Sequence, residues 1–363
     1  MNKEMFRAAA GSRWLRVGVA LAVFCAVVAG LWFGPDWHTV GDAFQNVHWE
    51  WVAVALAINL ASIVARSVAW KLVIDQAVEG PGPRYRYVFS AFSVGMLANA
   101  VLPGRIGEVA RVAVLTRRME RRRSAWATPV GTVVAHRMFD LIPIVLLILY
   151  VLVTAKIPAW AYSSLIVVVS IGAALFIFAF LSARHDHTTR IDSVGTIRHV
   201  WAMARKGLAV MHRPAPAAGA ICLQTLGWVC QLFAVYTAMR AFDIHAPVPA
   251  AALVQLVMNV ATIIPLWPGN VGAVQVVIAI PLVSYGVAYA DGVAFGFGLQ
   301  AIEASVGIGL GLIFLAHEGL SFATLRGMPT AVDELESEGD DEDGNGDGPA
   351  GTEATRARAG VPG

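Results

Sequence analysis

Charge is scarce in this 363-residue chain. Asp, Glu, Lys and Arg make up 14% of it, apolar residues make up 57%, and the mean hydropathy is +0.63. A soluble domain devotes roughly a quarter of its residues to charge, so that class is excluded. Cysteine is scarcer still. Cys25, Cys222 and Cys230 all fall in apolar runs, which points to reduced packing residues and away from a disulfide framework or a thiolate metal centre. No Walker loop, dinucleotide fingerprint, nucleophile elbow or HExxH is present. An ATP-driven pump within the chain is therefore not expected, and no catalytic residue, cofactor, metal or nucleic-acid partner is implied.

Long apolar runs are abundant instead. Several approach or exceed the ~20 residues that cross a bilayer, so the expected class is an all-α polytopic membrane protein. Oriented by lysine and arginine, the spans fall as follows. Val17–Phe33 follows Lys3, Arg7, Arg13 and Arg16 and reads as a retained anchor rather than a signal peptide. The loop from Gly34 to Glu50 has no Lys or Arg and faces outside. Trp51–Leu72 returns to a basic inner loop. Ala125–Val153 runs out, Ala159–Ser182 runs in, Arg184–Arg213 reads as a basic amphipathic surface helix, Ala217–Met239 runs out, and Val293–Ala316 returns. That gives about six full spans, both termini in the cytoplasm, and a place in the cell (inner) membrane. Residues 1–326 form the membrane domain. Residues 327–363 carry ten acids and two arginines and read as a disordered acidic tail. The body then holds 25 basic and 15 acidic residues, an excess that serves topology and favours anionic headgroups.

Two segments fit no ordinary span. Tyr87–Thr116 has cytoplasmic flanks on both sides and breaks at Pro103-Gly104. A second segment after Ala252 breaks at Pro268-Gly269. Each reads as a re-entrant helical hairpin, which is tolerated at membrane depth where protein or a wet cavity covers it. "PGRIGEV" from Pro103 and "PGNVGAV" from Pro268 share P-G-x-[IV]-G-x-V at an offset of 165 residues. The halves, about 1–155 and 157–318, begin on opposite sides, as an inverted-topology repeat requires. In such repeats broken helices meet near a midplane substrate site. Pro103, Gly104, Gly107, Pro268, Gly269 and Gly272 are the expected hinge residues.

The candidate site residues are the charges near these breaks. Arg105, Glu108 and Arg111 either snorkel to the cytoplasmic face or line a polar cavity, the functional reading of an intramembrane ion. His136, Arg137 and Asp140 share one helix face at i,i+3 and i,i+4, as an internal ion pair or with Asp140 holding Arg137 for a lipid phosphate. In the second half Asn270, Gln275 and Glu303 take the corresponding places. Asn270 is a candidate donor, and His136 and Glu303 are candidate coupling groups.

"LPGRIGEVAR" (Leu102–Arg111), "HRMFD" (His136–Asp140) and "IPLWPGNVGAVQ" (Ile264–Gln275) resemble the membrane domain of the lysylphosphatidylglycerol synthase/flippase-like family over about residues 14–320. The resemblance implies lipid translocation between leaflets, with two re-entrant helices lining a cavity. His136 stands where the family usually has Glu, Asn270 where it has Gly, and Gln275 where it has Glu. These losses of acid argue against a cationic aminoacyl-lipid, and no soluble transferase domain follows, so no synthase activity is expected. The leading expectation is a flippase for a phospholipid or polyprenyl-phosphate-linked lipid, with substrate binding by Arg105, Glu108, Arg111, Arg137, Asp140 and Asn270. A secondary transporter of a small solute or ion and an accessory subunit of an envelope-lipid enzyme are the alternatives.

Overall fold

The structure, a computed structural model, describes residues 34–78, 80–102, 106–118, 127–157, 214–262 and 270–320. The expected spans at Val17–Phe33 and Ala159–Ser182, the amphipathic segment 184–213 and the acidic tail lie outside those residues. So do Pro103, Gly104, Arg105, Pro268 and Gly269. All regular structure among the described residues is helical: α1 (Trp37–Gln45), α2 (Trp49–Ala77), α3 (Tyr85–Val101), α4 (Gly107–Thr116), α5 (Ala127–Thr154), α6 (Pro214–Ala241), α7 (Val248–Ala261), α8 (Ala273–Val283) and α9 (Tyr289–His317).

Four of these helices, α2, α5, α6 and α9, are long and apolar enough to cross a membrane. Their outward faces carry Leu146, Leu149, Val153, Phe233 and Ile313 exposed, the surface expected where lipid is the solvent. Trp37 opens α1 and Trp49 and Trp51 open α2, and all three are exposed, as interfacial aromatics are. The short helices α3–α4 and α7–α8 flank the two Pro-Gly breaks, and in each pair the two helices pack on one another.

α2 and α6 lie against each other and form the centre. Around them, α3 packs on α2 and α7 on α6, α4 on α3 and α8 on α7, α5 on α4 and α9 on α8. α5 also touches α7, α9 also touches α3, and both α5 and α9 reach α2 and α6. Exchanging α2–α5 with α6–α9 leaves this scheme unchanged.

In lipid there is little water to expel between helices, so close packing and dispersion hold them together. Glycine sets the distances. A Cβ at Gly107 would lie 2.1 Å from the Gly95 carbonyl oxygen, and one at Gly95 would lie 2.7 Å from that of Gly107. α3 and α4 therefore cross backbone to backbone. α9 meets α8 through Gly292 and Gly296, and meets α3 through Gly311. The two largest apolar clusters lie one around Trp70, Phe92, Leu97 and Leu115, the other around Val254, Ile278, Leu282 and Phe295.

α1 lies inside the stretch expected to be only an outer loop. Asp36 caps it by accepting from the His38 amide at 2.9 Å. Val40 packs on Ala279, Val293 and Ala294, and Phe44 meets Phe242 edge-on at 5.4 Å. The spacing Trp37, Val40, Phe44 carries the helical period.

Candidate functional site

The break before α4 leaves Glu108 in its first turn, where a carboxylate suits the positive end of the helix. One turn on, Arg111 Nη1 lies 3.4 Å from Glu108 Oε2. α5 brings Arg137 to the same place: it pairs with Glu108 through Nη2 and with Asp140 through Nη1 at 3.1 Å. The four charges expected as binding residues on these two helices thus form one chain, Arg111–Glu108–Arg137–Asp140.

The members differ in access. The side chains of Arg111 and Asp140 are 4% and 9% exposed, that of Glu108 26%, and that of Arg137 48%. Arg111 is enclosed: its guanidinium sits 4.0 Å from the Phe92 ring centre and 5.6 Å from that of Trp70, a pair of cation–π contacts. Asp140 is held from α6, whose Trp228 Nε1 donates to Oδ1 at 2.8 Å and whose Gln224 amide donates to the same oxygen. Arg137 is the one member of the chain that is open to an incoming group.

His136 is buried on the same helix but is not bonded to Asp140. Its Nε2 meets the Arg66 carbonyl at 3.2 Å, and its ring packs edge-on to Phe92. The imidazole thus turns toward α2. Glu303, in the middle of α9, accepts from Gln231 of α6 at 2.5 Å and makes no ion pair within 4 Å among the described residues.

The second hairpin contributes differently. Asn270 takes a left-handed backbone with φ of 47° and donates to the Ala261 carbonyl at 2.9 Å, joining the two sides of its own break. Gln275 accepts from the Gly272 amide and donates to Gln300 of α9, both at 2.5 Å. No hydrogen bond or ion pair joins Gln275 to the Arg137 chain among the described residues. The hinge glycines also divide. Gly272 has a φ of +93° and open space where a Cβ would stand, so its backbone needs glycine. Gly107 serves close approach to Gly95.

Sequence reasoning passed over Arg66 of α2 and the α6 donors. Arg66 was hidden within an ordinary span, and Gln224, Trp228 and Gln231 recur at i, i+4 and i+7, a polar stripe at helical spacing on an otherwise apolar run. No cluster of three or more metal-ligating side chains occurs among the described residues, and Cys222 and Cys230 are free.

Comparison with known proteins places the chain among membrane proteins. A family model described as "Lysylphosphatidylglycerol synthase TM region" matches residues 14–311. Two curated proteins of Methanothermobacter thermautotrophicus, each named "UPF0104 membrane protein", are similar to the chain. One is 22% identical over 285 residues, covering 74% of this chain and 83% of its own length. The other is 23% identical over 282 residues, covering 71% and 80%. No solved structure matches.

Proposed function

The chain belongs to the lysylphosphatidylglycerol synthase transmembrane-region family, and we propose that it moves a phosphate-bearing lipid, a phospholipid or a polyprenyl-phosphate-linked lipid, between membrane leaflets. The observation that carries this reading is Arg137, a half-exposed guanidinium among apolar helices, oriented by Asp140 and Glu108. A guanidinium fork matches two phosphate oxygens. A phosphate arriving at Arg137 displaces Glu108, and Arg111 stands one turn away to keep that carboxylate paired. The acyl chains stay in the bilayer throughout. Arg105, at the break itself, belongs to the same proposed site.

Two further observations support transport rather than a fixed binding role. The helix packing is unchanged when the two halves are exchanged, and the Pro-Gly motifs repeat at 165 residues. Both suit an inverted repeat of two hairpins that rock about a shared site. The lysine and arginine distribution supports a reading with both termini in the cytoplasm, the protein in the inner membrane and anionic lipids as its partners.

A second reading, a secondary transporter of a small solute or ion, draws on Glu303, an intramembrane carboxylate whose bonded partner is a neutral amide. Reconstitution separates the two. In proteoliposomes, fluorescent phosphatidylglycerol, phosphatidylethanolamine and a polyprenyl-phosphate lipid are offered, with Arg105→Ala and Arg137→Ala alongside wild type. Transfer of a phosphate-bearing lipid that both variants abolish is expected. Folded wild-type protein that transfers no lipid, with or without a proton gradient, overturns the translocase reading.

A further inference from the structure

Arg66 is absent from the chain of ion pairs. Its guanidinium stacks over the Trp228 ring at 5.1 Å from the centre. A Cβ at position 227 would stand 2.6 Å from its Cγ and 3.2 Å from its Nε, so Gly227 is what lets the side chain lie on α6. The charges within electrostatic reach are two acids, Asp140 and Glu303, and two cations, Arg137 and Arg111. Neither acid is bonded to it. Asp140 is taken by Arg137, Trp228 and Gln224, and Glu303 takes the Gln231 amide. Arg66 Nε is buried without a hydrogen-bond partner, and no carboxylate lies within 4 Å among the described residues.

Such an arrangement has a cost that a packing role does not explain. A guanidinium without an ion-pair partner at membrane depth is unfavourable, and an apolar side chain would fill the same groove on Gly227 without it. The position is central. At 1.5 Å per residue, Arg66 stands about 25 Å from the start of α2 and about 17 Å from its end. It also lies beside the α2–α6 crossing, where Ser62 bonds the Gly227 carbonyl at 2.7 Å.

We propose that Arg66, bedded on Gly227 and Trp228 between Asp140 and Glu303, is an inner binding site for the phosphate of the headgroup. The inference rests on the translocase reading and adds a second station to it. Arg137 receives the phosphate from the open side, and Arg66 holds it at the centre of the molecule. A phosphate there supplies the counter-charge that no carboxylate within 4 Å provides among the described residues. Asp140 and Glu303, already occupied by other donors, do not compete for the guanidinium.

The test uses the full chain. Native mass spectrometry of purified wild type, Arg66→Lys, Arg66→Gln and Gly227→Ala counts retained phosphatidylglycerol, with diacylglycerol as the phosphate-free control and excess inorganic phosphate as competitor. Proteoliposomes of the same four proteins report translocation of fluorescent phosphatidylglycerol and its half-saturating lipid fraction. Arg66→Gln is expected to lower both retention and translocation at least about tenfold, the loss of one charged hydrogen bond, while Arg66→Lys keeps most of each. Gly227→Ala, which leaves the charge but pushes the side chain off its bed, is expected to follow Arg66→Gln. Should Arg66→Gln fail to fold, Gly227→Ala carries the test.

Displacement of lipid by inorganic phosphate, together with its uptake into the liposomes, keeps the site and makes the occupant a solute. Wild-type retention that depends on Arg66 without any translocation keeps the site and overturns the translocase reading. Equal retention of phosphatidylglycerol by wild type and both Arg66→Gln and Gly227→Ala overturns the inference.

Discussion

Ser62 of α2 donates a 2.7 Å hydrogen bond to the carbonyl of Gly227 on α6, across a sequence separation of 165 residues. The same number separates Pro103 from Pro268, the first residues of the two "PG" motifs. On a two-fold axis a residue meets its own counterpart, so a contact between positions one repeat apart is what the central α2–α6 crossing of an inverted repeat produces. The polar pair Lys71–Asp75 at the far end of α2 has Tyr236–Arg240 at the same offset on α6, and each is joined i,i+4.

The repeat makes a labelling prediction. In a chain with Cys25, Cys222 and Cys230 replaced by Ser, single cysteines at Gly80 and Arg117 flank the first hairpin, and those at His245 and Ala288 flank the second. A membrane-impermeant maleimide is expected to reach the first pair from the cytoplasmic side alone and the second pair from the outside alone. Labelling of Gly80→Cys and Arg117→Cys from opposite faces would show that α3 and α4 together make one crossing, which removes the re-entrant reading.

Asp140 and Arg137 are bonded to each other yet are unequal in what they leave behind. Replacing Asp140 with Ala strands the Trp228 and Gln224 donors and one side of Arg137 in the interior. Replacing Arg137 removes a side chain that is half exposed, and Asp140 keeps its two α6 donors. Unmatched buried donors and a broken buried pair each cost a few kcal/mol. Asp140→Ala is therefore expected to lower stability by about 3 kcal/mol and Arg137→Ala by about 1 kcal/mol. Thermal unfolding in detergent checks the order. Arg137→Ala is expected to lose lipid transfer despite the smaller stability change, and the reverse pattern would mean that Arg137 is only structural glue.

Outside the membrane, Asp36 predicts a pH response. The His38 amide and the Thr39 hydroxyl bond its carboxylate and hold it below its ordinary value of 3.8. A carboxylate whose value is lowered by folding adds stability above the unfolded value, and that contribution disappears as pH falls through the folded one. α1 is thus expected to keep its cap down to about pH 4 and to fray below it. Hydrogen exchange at His38 and Thr39 is the measurement. Asp36→Asn, which still accepts a bond without titrating, is expected to remove the pH step.

Much of the site was legible because its spacing is local. Glu108–Arg111 and Arg137–Asp140 are i,i+3 pairs on single helices, and the bounds of both helix pairs follow from the apolar runs around each Pro-Gly. What the chain did not disclose depends on pairing between helices. Nothing local says that Arg137 reaches Glu108, 29 residues away, or that His136 turns to the Arg66 carbonyl rather than to Asp140. Arg66 was passed over because lysine and arginine were used to orient loops, and this one lies within a span. α1 was passed over because nine residues with four apolar positions are shorter than any span template, although Asp36 and the period of Trp37, Val40 and Phe44 were there to read.

Glycine substitutions give the last prediction, since four positions differ in physical cause. At Gly107 a Cβ meets the Gly95 carbonyl oxygen at 2.1 Å, backbone that has no rotamer to yield. Gly107→Ala must therefore push α3 and α4 apart, displacing Arg111 and Glu108 from Arg137, and is expected to abolish lipid transfer and to cost more than about 3 kcal/mol. Gly95→Ala meets both the Gly107 carbonyl and the Arg111 side chain, so it is expected to behave alike. At Gly272 space is open but φ is +93°, and Gly272→Ala is expected to cost about 1–2 kcal/mol through backbone strain alone. At Gly309 nothing stands within 4 Å and φ is ordinary, so Gly309→Ala is expected to be neutral or slightly stabilising through helix propensity, by up to about 1 kcal/mol. Thermal unfolding of the four variants, measured beside lipid transfer, checks this order. Equal effects at Gly107 and Gly309 would mean that the α3–α4 crossing is looser than a backbone-to-backbone contact, and the chain Arg111–Glu108–Arg137–Asp140 would then lose the support that holds its first two members in place.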